Sequence, residues 1–269
     1  MEPNIITIMM PKGGVGKTTS VISIAVILAH RGKKVLLVDM DPQANLTMGL
    51  GVDLGDEDLD ILDKNEDKIP EYSVLEVLMN PDQSPSFARI EIEENLHLIP
   101  ARFDLAFAEL ELGGSIGREF LLRQALDHVK ANYDYIIIDS PPTLGLFTLN
   151  SLMAAQSIII PVQTHVYAYR ALPHFKWILK IIKRHNPSIF IGGIILTQYD
   201  GRNNLSDAIA NRTKQNYPDL VFQTIIPLNT KLAEAPASGK SVSEYAPNAS
   251  GAQAYNKLTD EIEERYAKK

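Results

Sequence analysis

The chain has 269 residues, 45% of them hydrophobic and 22% charged, the balance of a soluble globular protein long enough to bury a sizeable core. No apolar run reaches the roughly 18 residues of a membrane span, and MEPNIITIMM lacks the basic start of a secretory signal, so a cytoplasmic setting is expected. With no cysteine, disulfide scaffolds, thiol catalysis, iron–sulfur clusters and cysteine-held zinc are excluded.

Apolar runs alternate with helical patterns along the whole length. Strands are expected at Ile5–Met9, Lys34–Asp39, Leu96–Pro100, Tyr135–Asp139, Ser157–Val162, Phe190–Thr197 and Val221–Ile226. Most are continuous Val/Ile/Leu runs without alternation, as when helices cover both faces of a sheet. Helices are expected at Lys17–His30, Arg118–Ala131, Ala171–Arg184, Leu205–Asn216 and about Gln253–Ala267, with Gly32 placed to end the first. Strands separated by helices imply right-handed βαβ units. The expected fold is therefore α/β: a single doubly wound, mostly parallel sheet, spanning 1–269 as one domain.

Charge is uneven along the chain. The net charge is −7, and the segment from Gly51 to Tyr72 carries −7 by itself, nine acids against two lysines. That segment reads as an acidic surface insertion, and the balanced remainder leaves room for a local basic face that binds nucleic acid. The final helix sets Tyr255, Leu258, Ile262 and Tyr266 on one stripe, the pattern of core packing. Its other positions include Asp260, Glu261, Glu263 and Glu264, where a membrane-lying helix would carry Lys and Arg, so no membrane partner is expected.

Three motifs carry chemistry. Lys12-Gly13-Gly14-Val15-Gly16-Lys17-Thr18-Thr19 lies between the first strand and the first helix. Glycines let successive N–H groups turn inward into an anion nest, and the helix N-terminus adds positive charge at the same point. Lys17 is placed for β- and γ-phosphates and Thr18 for Mg²⁺. The second motif, Asp39-Met40-Asp41-Pro42, ends the second strand, where carboxylates beside a phosphate loop serve the metal shell and the attacking water. The third is Tyr135-Ile136-Ile137-Ile138-Asp139, an apolar strand ending in an acid placed to reach Mg²⁺ directly or through water. The six histidines show no metal-ligand spacing and read as surface or packing residues.

The loop departs from the plain phosphate-loop form: Pro11 stands where the first glycine is usual, and a second lysine, Lys12, opens it. KGGVGKTT resembles the deviant Walker A loop of the ParA/MinD superfamily of P-loop ATPases. Asp139-Ser140-Pro141-Pro142-Thr143-Leu144-Gly145 is similar to that family's Walker B and switch II, and Ile226-Pro227-Leu228-Asn229 with Ala233-Glu234-Ala235-Pro236 to its ParA/Soj branch.

The resemblance implies an ATPase using ATP and Mg²⁺. Within it, Lys12 reaches the phosphates of a partner protomer in a nucleotide-sandwich homodimer, Asp41 is the hydrolytic aspartate, and Thr18, Asp39 and Asp139 stand near the metal. Pro227 and Asn229 become the base-binding candidates, with Gln198 beside them and Leu228 where relatives often carry arginine. Arg202 and Lys231 match positions at which Soj-like relatives bind DNA without sequence preference, and Lys240 lies near them in sequence. The function so implied is nucleoid-based segregation or positioning of DNA with a ParB-like adaptor. Alternatives are positioning of a protein organelle or other cargo and, against the acidic C-terminal helix, a MinD-like membrane cycle.

Overall fold

A computed structural model describes residues 3–54 and 70–268, apart from the side chains of 166–171, 174 and 176. The acidic run expected at about 51–72 lies mostly outside the described residues. Eight strands form one sheet: β1 (Asn4–Ile8), β2 (Val35–Asp39), β3 (Ile90–Glu93), β4 (Leu96–Ile99), β5 (Tyr135–Asp139), β6 (Ser157–Gln163), β7 (Phe190–Tyr199) and β8 (Val221–Pro227). Their order is β3-β4-β2-β5-β1-β6-β7-β8, and every pairing is parallel except β3 with β4.

The helices are α1 (Lys17–His30), α2 (Asn45–Gly49), α3 (Val74–Met79), α4 (Leu105–Glu111), α5 (Leu121–Asp127), α6 (Leu146–Ala154), α7 (Val166–Ile182), α8 (Asn204–Asn216), α9 (Lys231–Ala237), α10 (Val242–Tyr245) and α11 (Ser250–Ala267). Alternate strand residues serve opposite faces. Ile6, Ile8, Leu37 and Ile137 pack with Ile22 and Leu28 of α1 and with Tyr255 and Leu258 of α11. Ile5, Leu36, Val38 and Ile136 pack with Leu105, Leu122 and Phe147 on the other face. Both faces are covered, so the central strands are mostly apolar at successive positions, and the doubly wound fold expected from the apolar runs is what forms.

Local endings follow from the sequence. Gly32 takes φ +79°, its N–H bonds to Ala29 O (2.8 Å), and the Lys33 N–H reaches Leu28 O (3.1 Å), so two orphan carbonyls of α1 are satisfied together. The Asn203 side chain accepts from the Leu205 N–H and starts α8. The helix expected over Arg118–Ala131 is broken into a 3₁₀ turn at Arg118–Phe120, then α5, then another 3₁₀ turn at Lys130–Asn132. The tightening brings Val129 and Tyr133 into the core before β5.

α11 ties down the open edge at β8. Its Glu261 carboxylate accepts from the N–H groups of Gln223 and Thr224 (2.7 Å each), which an edge strand otherwise leaves unpaired. Arg265 stacks on Phe222 at 4.1 Å and donates to the carbonyls of Gly192 and Leu220 (2.9 and 3.0 Å). Gly192 and Gly193 of β7 make this approach possible, because a Cβ at either would overlap Tyr266 or Phe222. Gly193→Ala is therefore expected to lower stability by about 1–3 kcal/mol, the usual range for overpacking, as read by urea unfolding.

Candidate active site

Three central strands deliver the site. β1, β5 and β2 end side by side, with Ile8 opposite Asp139 and Asp139 opposite Asp39, so the phosphate loop and two carboxylates meet at one sheet edge. Ser140 fixes this edge by donating to Ile8 O (3.0 Å). Gly14 and Gly16 adopt φ +71° and +87°, which glycine reaches without strain, and a Cβ at Gly13 or Gly14 would meet nothing within 4 Å. The loop thus opens on free space. α1 starts beneath it with no side-chain cap and no acid in its first turn, leaving its N–H groups and partial positive charge for an anion.

Lys17 is buried, and its ammonium donates to Lys12 O (3.1 Å). Burial pulls its pKa down, while Asp139 and Asp41 act to raise it. Thr18 Oγ1 donates to Asp139 Oδ2 (2.6 Å), but the other Asp139 oxygen is buried without a partner. Burial, reinforced by Asp39, raises the Asp139 pKa well above the carboxylate range, against the pull of Thr18 and Lys17. An orphaned carboxylate oxygen beside a hydroxyl at an anion nest fits a hard cation that takes few protein ligands and completes its shell from phosphate and water. Among the described residues no group of three or more His, Asp or Glu could hold a metal without such outside ligands.

The two acids of the second motif have separate employment. Asp39 is fully buried. Its Oδ2 accepts from the Thr47 N–H (3.0 Å) and hydroxyl (2.7 Å) of α2, and its Oδ1 from the Asp41 N–H (3.1 Å). Desolvation raises its pKa to about 7. Both Asp39 oxygens thus accept hydrogen bonds that shape the loop, unlike the free oxygen of Asp139. Asp41 is also buried, with Oδ1 held by the Gln43 N–H at 3.0 Å.

On the other side of β1, the ends of β6 and β7 clasp the loop through Gln163, Thr197 and Gln198, of which only Gln198 was expected at the site. Thr197 donates to Val15 O (2.9 Å). Gln163 accepts from Lys12 Nζ (3.3 Å) and donates to Gln198 Oε1 (2.7 Å), and Gln198 donates to Gly14 O (2.5 Å). Gln198, expected near the base, thus reaches the loop backbone from a left-handed conformation at φ +51°. Pro227 pairs with Tyr199, and the Leu228 N–H donates to Tyr199 O (2.8 Å). Asn229 bonds Ser250 and caps the Lys231 N–H. This segment stands three strands from β1, about 14 Å at the usual strand spacing. Arg202 and Lys231 lie exposed beyond β7 and β8, each paired with a neighbouring acid: Arg202 with Asp200 (2.9 Å) and Lys231 with Glu234 (2.6 Å).

The AAA domain family matches residues 3–191. The sporulation initiation inhibitor protein Soj of Bacillus subtilis is 41% identical over 259 residues, 96% of this chain and 97% of that protein. The chromosome-partitioning ATPase Soj of Treponema pallidum is 40% identical over 255 residues, 93% of each chain. The chain belongs to the Soj/ParA family of chromosome-partitioning ATPases. Its fold extends beyond partition proteins within the superfamily. A cobyrinic acid a,c-diamide synthase from Mycobacterium smegmatis, solved with an ATP analog and magnesium, superposes with TM-score 0.81 at 33% identity, covering 98% of this chain and 96% of that one. As a Soj/ParA ATPase the chain hydrolyses ATP, and no helix among the described residues is long and apolar enough to cross a membrane.

The raised Asp139 pKa fixes a pH dependence. Unfolded, the group ionises near 3.8; folded, it holds its proton to higher pH, so the folded chain binds more protons between the two values. Stability of the ligand-free protein therefore falls as pH rises through that window. Asp139→Asn is expected to be more stable than the wild type at pH 8, with the advantage fading toward pH 4, as measured by urea unfolding across pH.

Proposed function

We propose that this partition ATPase works as a single P-loop domain that binds ATP with Mg²⁺ and closes face to face on a second copy. The closed dimer binds DNA without sequence preference and is driven through its cycle by a ParB-like adaptor on the nucleoid. The observation that carries the nucleotide reading is the unpartnered buried oxygen of Asp139 beside the Thr18 hydroxyl at the mouth of the open glycine loop. Gly13, Gly14, Val15 and Gly16 with the first turn of α1 offer backbone N–H groups to the phosphates, and Thr19 lies in that turn.

Lys17, whose ammonium donates to the Lys12 carbonyl, turns its charge to the terminal phosphates. Thr18 and Asp139 would hold Mg²⁺, which when bound offsets the charge of those phosphates. Asp41, steadied by the Gln43 N–H, accepts a hydrogen bond from the attacking water and aims it at the terminal phosphorus. Pro227 and Asn229 meet the base from the edge of the sheet, with Leu228 contributing backbone. Asp39 is a positioning residue for Asp41 through its N–H.

Lys12 distinguishes this loop from the plain form. Its ammonium rests on Gln163 at 3.3 Å within one protomer, a single contact to a neutral amide, whereas a partner's phosphates present full negative charge and several acceptor oxygens. Arg202 and Lys231 supply DNA contacts from two protomers. Both pairs lie at the surface, with exposed cations and half-buried acids, so exchanging the acids for phosphate costs little.

The variants separate the steps. Asp41→Ala is expected to bind ATP and persist as a dimer on size-exclusion chromatography while turnover falls about 10²-fold or more. Lys12→Ala should keep ATP binding and elute as monomer; full dimerisation in that variant would refute the sandwich. Arg202→Glu with Lys231→Glu should dimerise with ATP and lose the ATP-dependent gain in DNA retention.

A further inference from the structure

From Ser140 to Tyr199 the sequence holds five Lys or Arg and no Asp or Glu, in a chain whose net charge is −7. The C-terminal half of α7 presents part of this stretch to solvent. Its inner side is committed to the core through Phe175, Ile178 and Ile182. Outward, Trp177 is 65% exposed and Ile181 37%, and Lys180, Lys183 and Arg184 are exposed beside them. Positions 177, 180, 181 and 184 follow one helical stripe. Among the described residues, none of these three cations is in an ion pair, unlike Arg202 and Lys231. The adjoining turn Arg118–Phe120 rests Phe120 on the His185 ring at 6.4 Å and carries one cation, Arg118, bonded to Gly113 O (2.6 Å), and one acid, Glu119.

The helix dipole explains a cation in the last turn of α7 but not three together with an exposed tryptophan. The patch is held rigidly, because the buried Asn186 donates to the carbonyls of Leu152 (3.0 Å) and Ala155 (2.7 Å) at the end of α6. α7 runs back from the nucleotide edge for 17 residues, about 25 Å, so its end lies at the opposite edge of the sheet from the phosphate loop.

We propose that this end of α7 is a second contact surface for the phosphodiester backbone of duplex DNA, with Lys180, Lys183 and Arg184 on phosphates and Trp177 against the sugar–phosphate edge. Three unpaired cations fit a polyanion, whereas two exposed apolar side chains offer too little area for a membrane face. The surface is complete in one protomer, so it acts without ATP and without dimerisation. It therefore goes beyond the ATP-gated contacts of Arg202 and Lys231 and fails or stands separately from them.

Trp177 is the only tryptophan of the chain and reports on its own patch. The full-length protein without nucleotide is titrated at low salt with random-sequence duplex, reading Trp177 emission and DNA binding together. Emission is expected to change with binding. Lys180→Glu, Lys183→Glu and Arg184→Glu combined should weaken nucleotide-free binding at least tenfold, with ATP turnover and urea unfolding unchanged. The neutral set Lys180→Gln, Lys183→Gln and Arg184→Gln should lower the log–log salt slope by roughly 2–3, at about 0.9 per lost phosphate contact. Arg202→Glu with Lys231→Glu should keep the nucleotide-free Trp177 response while losing the gain that ATP brings. Wild-type binding in the α7 triple variant, or silent Trp177 emission, would overturn the α7 surface and leave the ATP-gated reading intact. A blue shift on phosphatidylglycerol vesicles with no response to duplex would overturn it in favour of a lipid surface.

Discussion

Burial of like charge at the end of β5 sets the terms for the rest of the molecule. Lys17, Asp39, Asp41 and Asp139 are all buried there, one ammonium among three carboxylates. Burial first, and then the excess of negative charge they would leave if ionised together, make the carboxyls of Asp39 and Asp139 hold their protons above the usual range. A chain selected only for stability would not keep this arrangement. Covering helices on both faces of the sheet supply the apolar burial that offsets it, and a divalent cation has the charge that relieves it. The site is strained electrostatically in the ligand-free chain and relaxed by the ligands it is shaped for.

Asp39 and Asp139 show how neighbours in register acquire different work. They lie opposite one another on adjacent strands, with the same chemistry and the same depth. The difference is α2: its Thr47 spends both N–H and hydroxyl on Asp39, and the same hydroxyl accepts from the Ala101 N–H at 3.0 Å, stitching β4's exit to the loop. Asp139 meets only Thr18, and one oxygen is left over. Position in the sheet brings both acids to the site; the hydrogen bonds around them leave one oxygen free on Asp139 and none on Asp39.

What was legible in sequence is what is local. The glycine loop, Lys17 and the acid ending an apolar strand sit within single strand–loop–helix units, so spacing alone carries them. The sheet was legible because continuous apolar runs demand two covered faces. β3 was not, since Ile90-Glu91-Ile92-Glu93 is a four-residue antiparallel edge strand with every second position acidic and no position fully buried. Nor was the commitment of Asp39, which depends on Thr47 in a five-residue helix without capping signals. The clasp of Gln163 and Gln198 on Lys12 and Gly14 joins residues more than 150 positions apart, and nothing in the order of side chains announces it.

The same distinction governs charge. A total of −7 says only that the protein is repelled by polyanions on average. Screening confines each exposed charge to about 8–10 Å at ordinary salt, so what a phosphate meets is the patch and not the total. At the nucleotide edge the exposed cations Arg202 and Lys231 stand paired with Asp200 and Glu234, which gives that surface little field of its own until phosphate displaces the acids. At the far end of α7 no acid stands in the sequence between Ser140 and Tyr199, and among the described residues Lys180, Lys183 and Arg184 are in no ion pair. Two kinds of basic surface thus coexist on one acidic chain, one masked by its own carboxylates at the edge where the nucleotide site lies, the other open whatever that site holds.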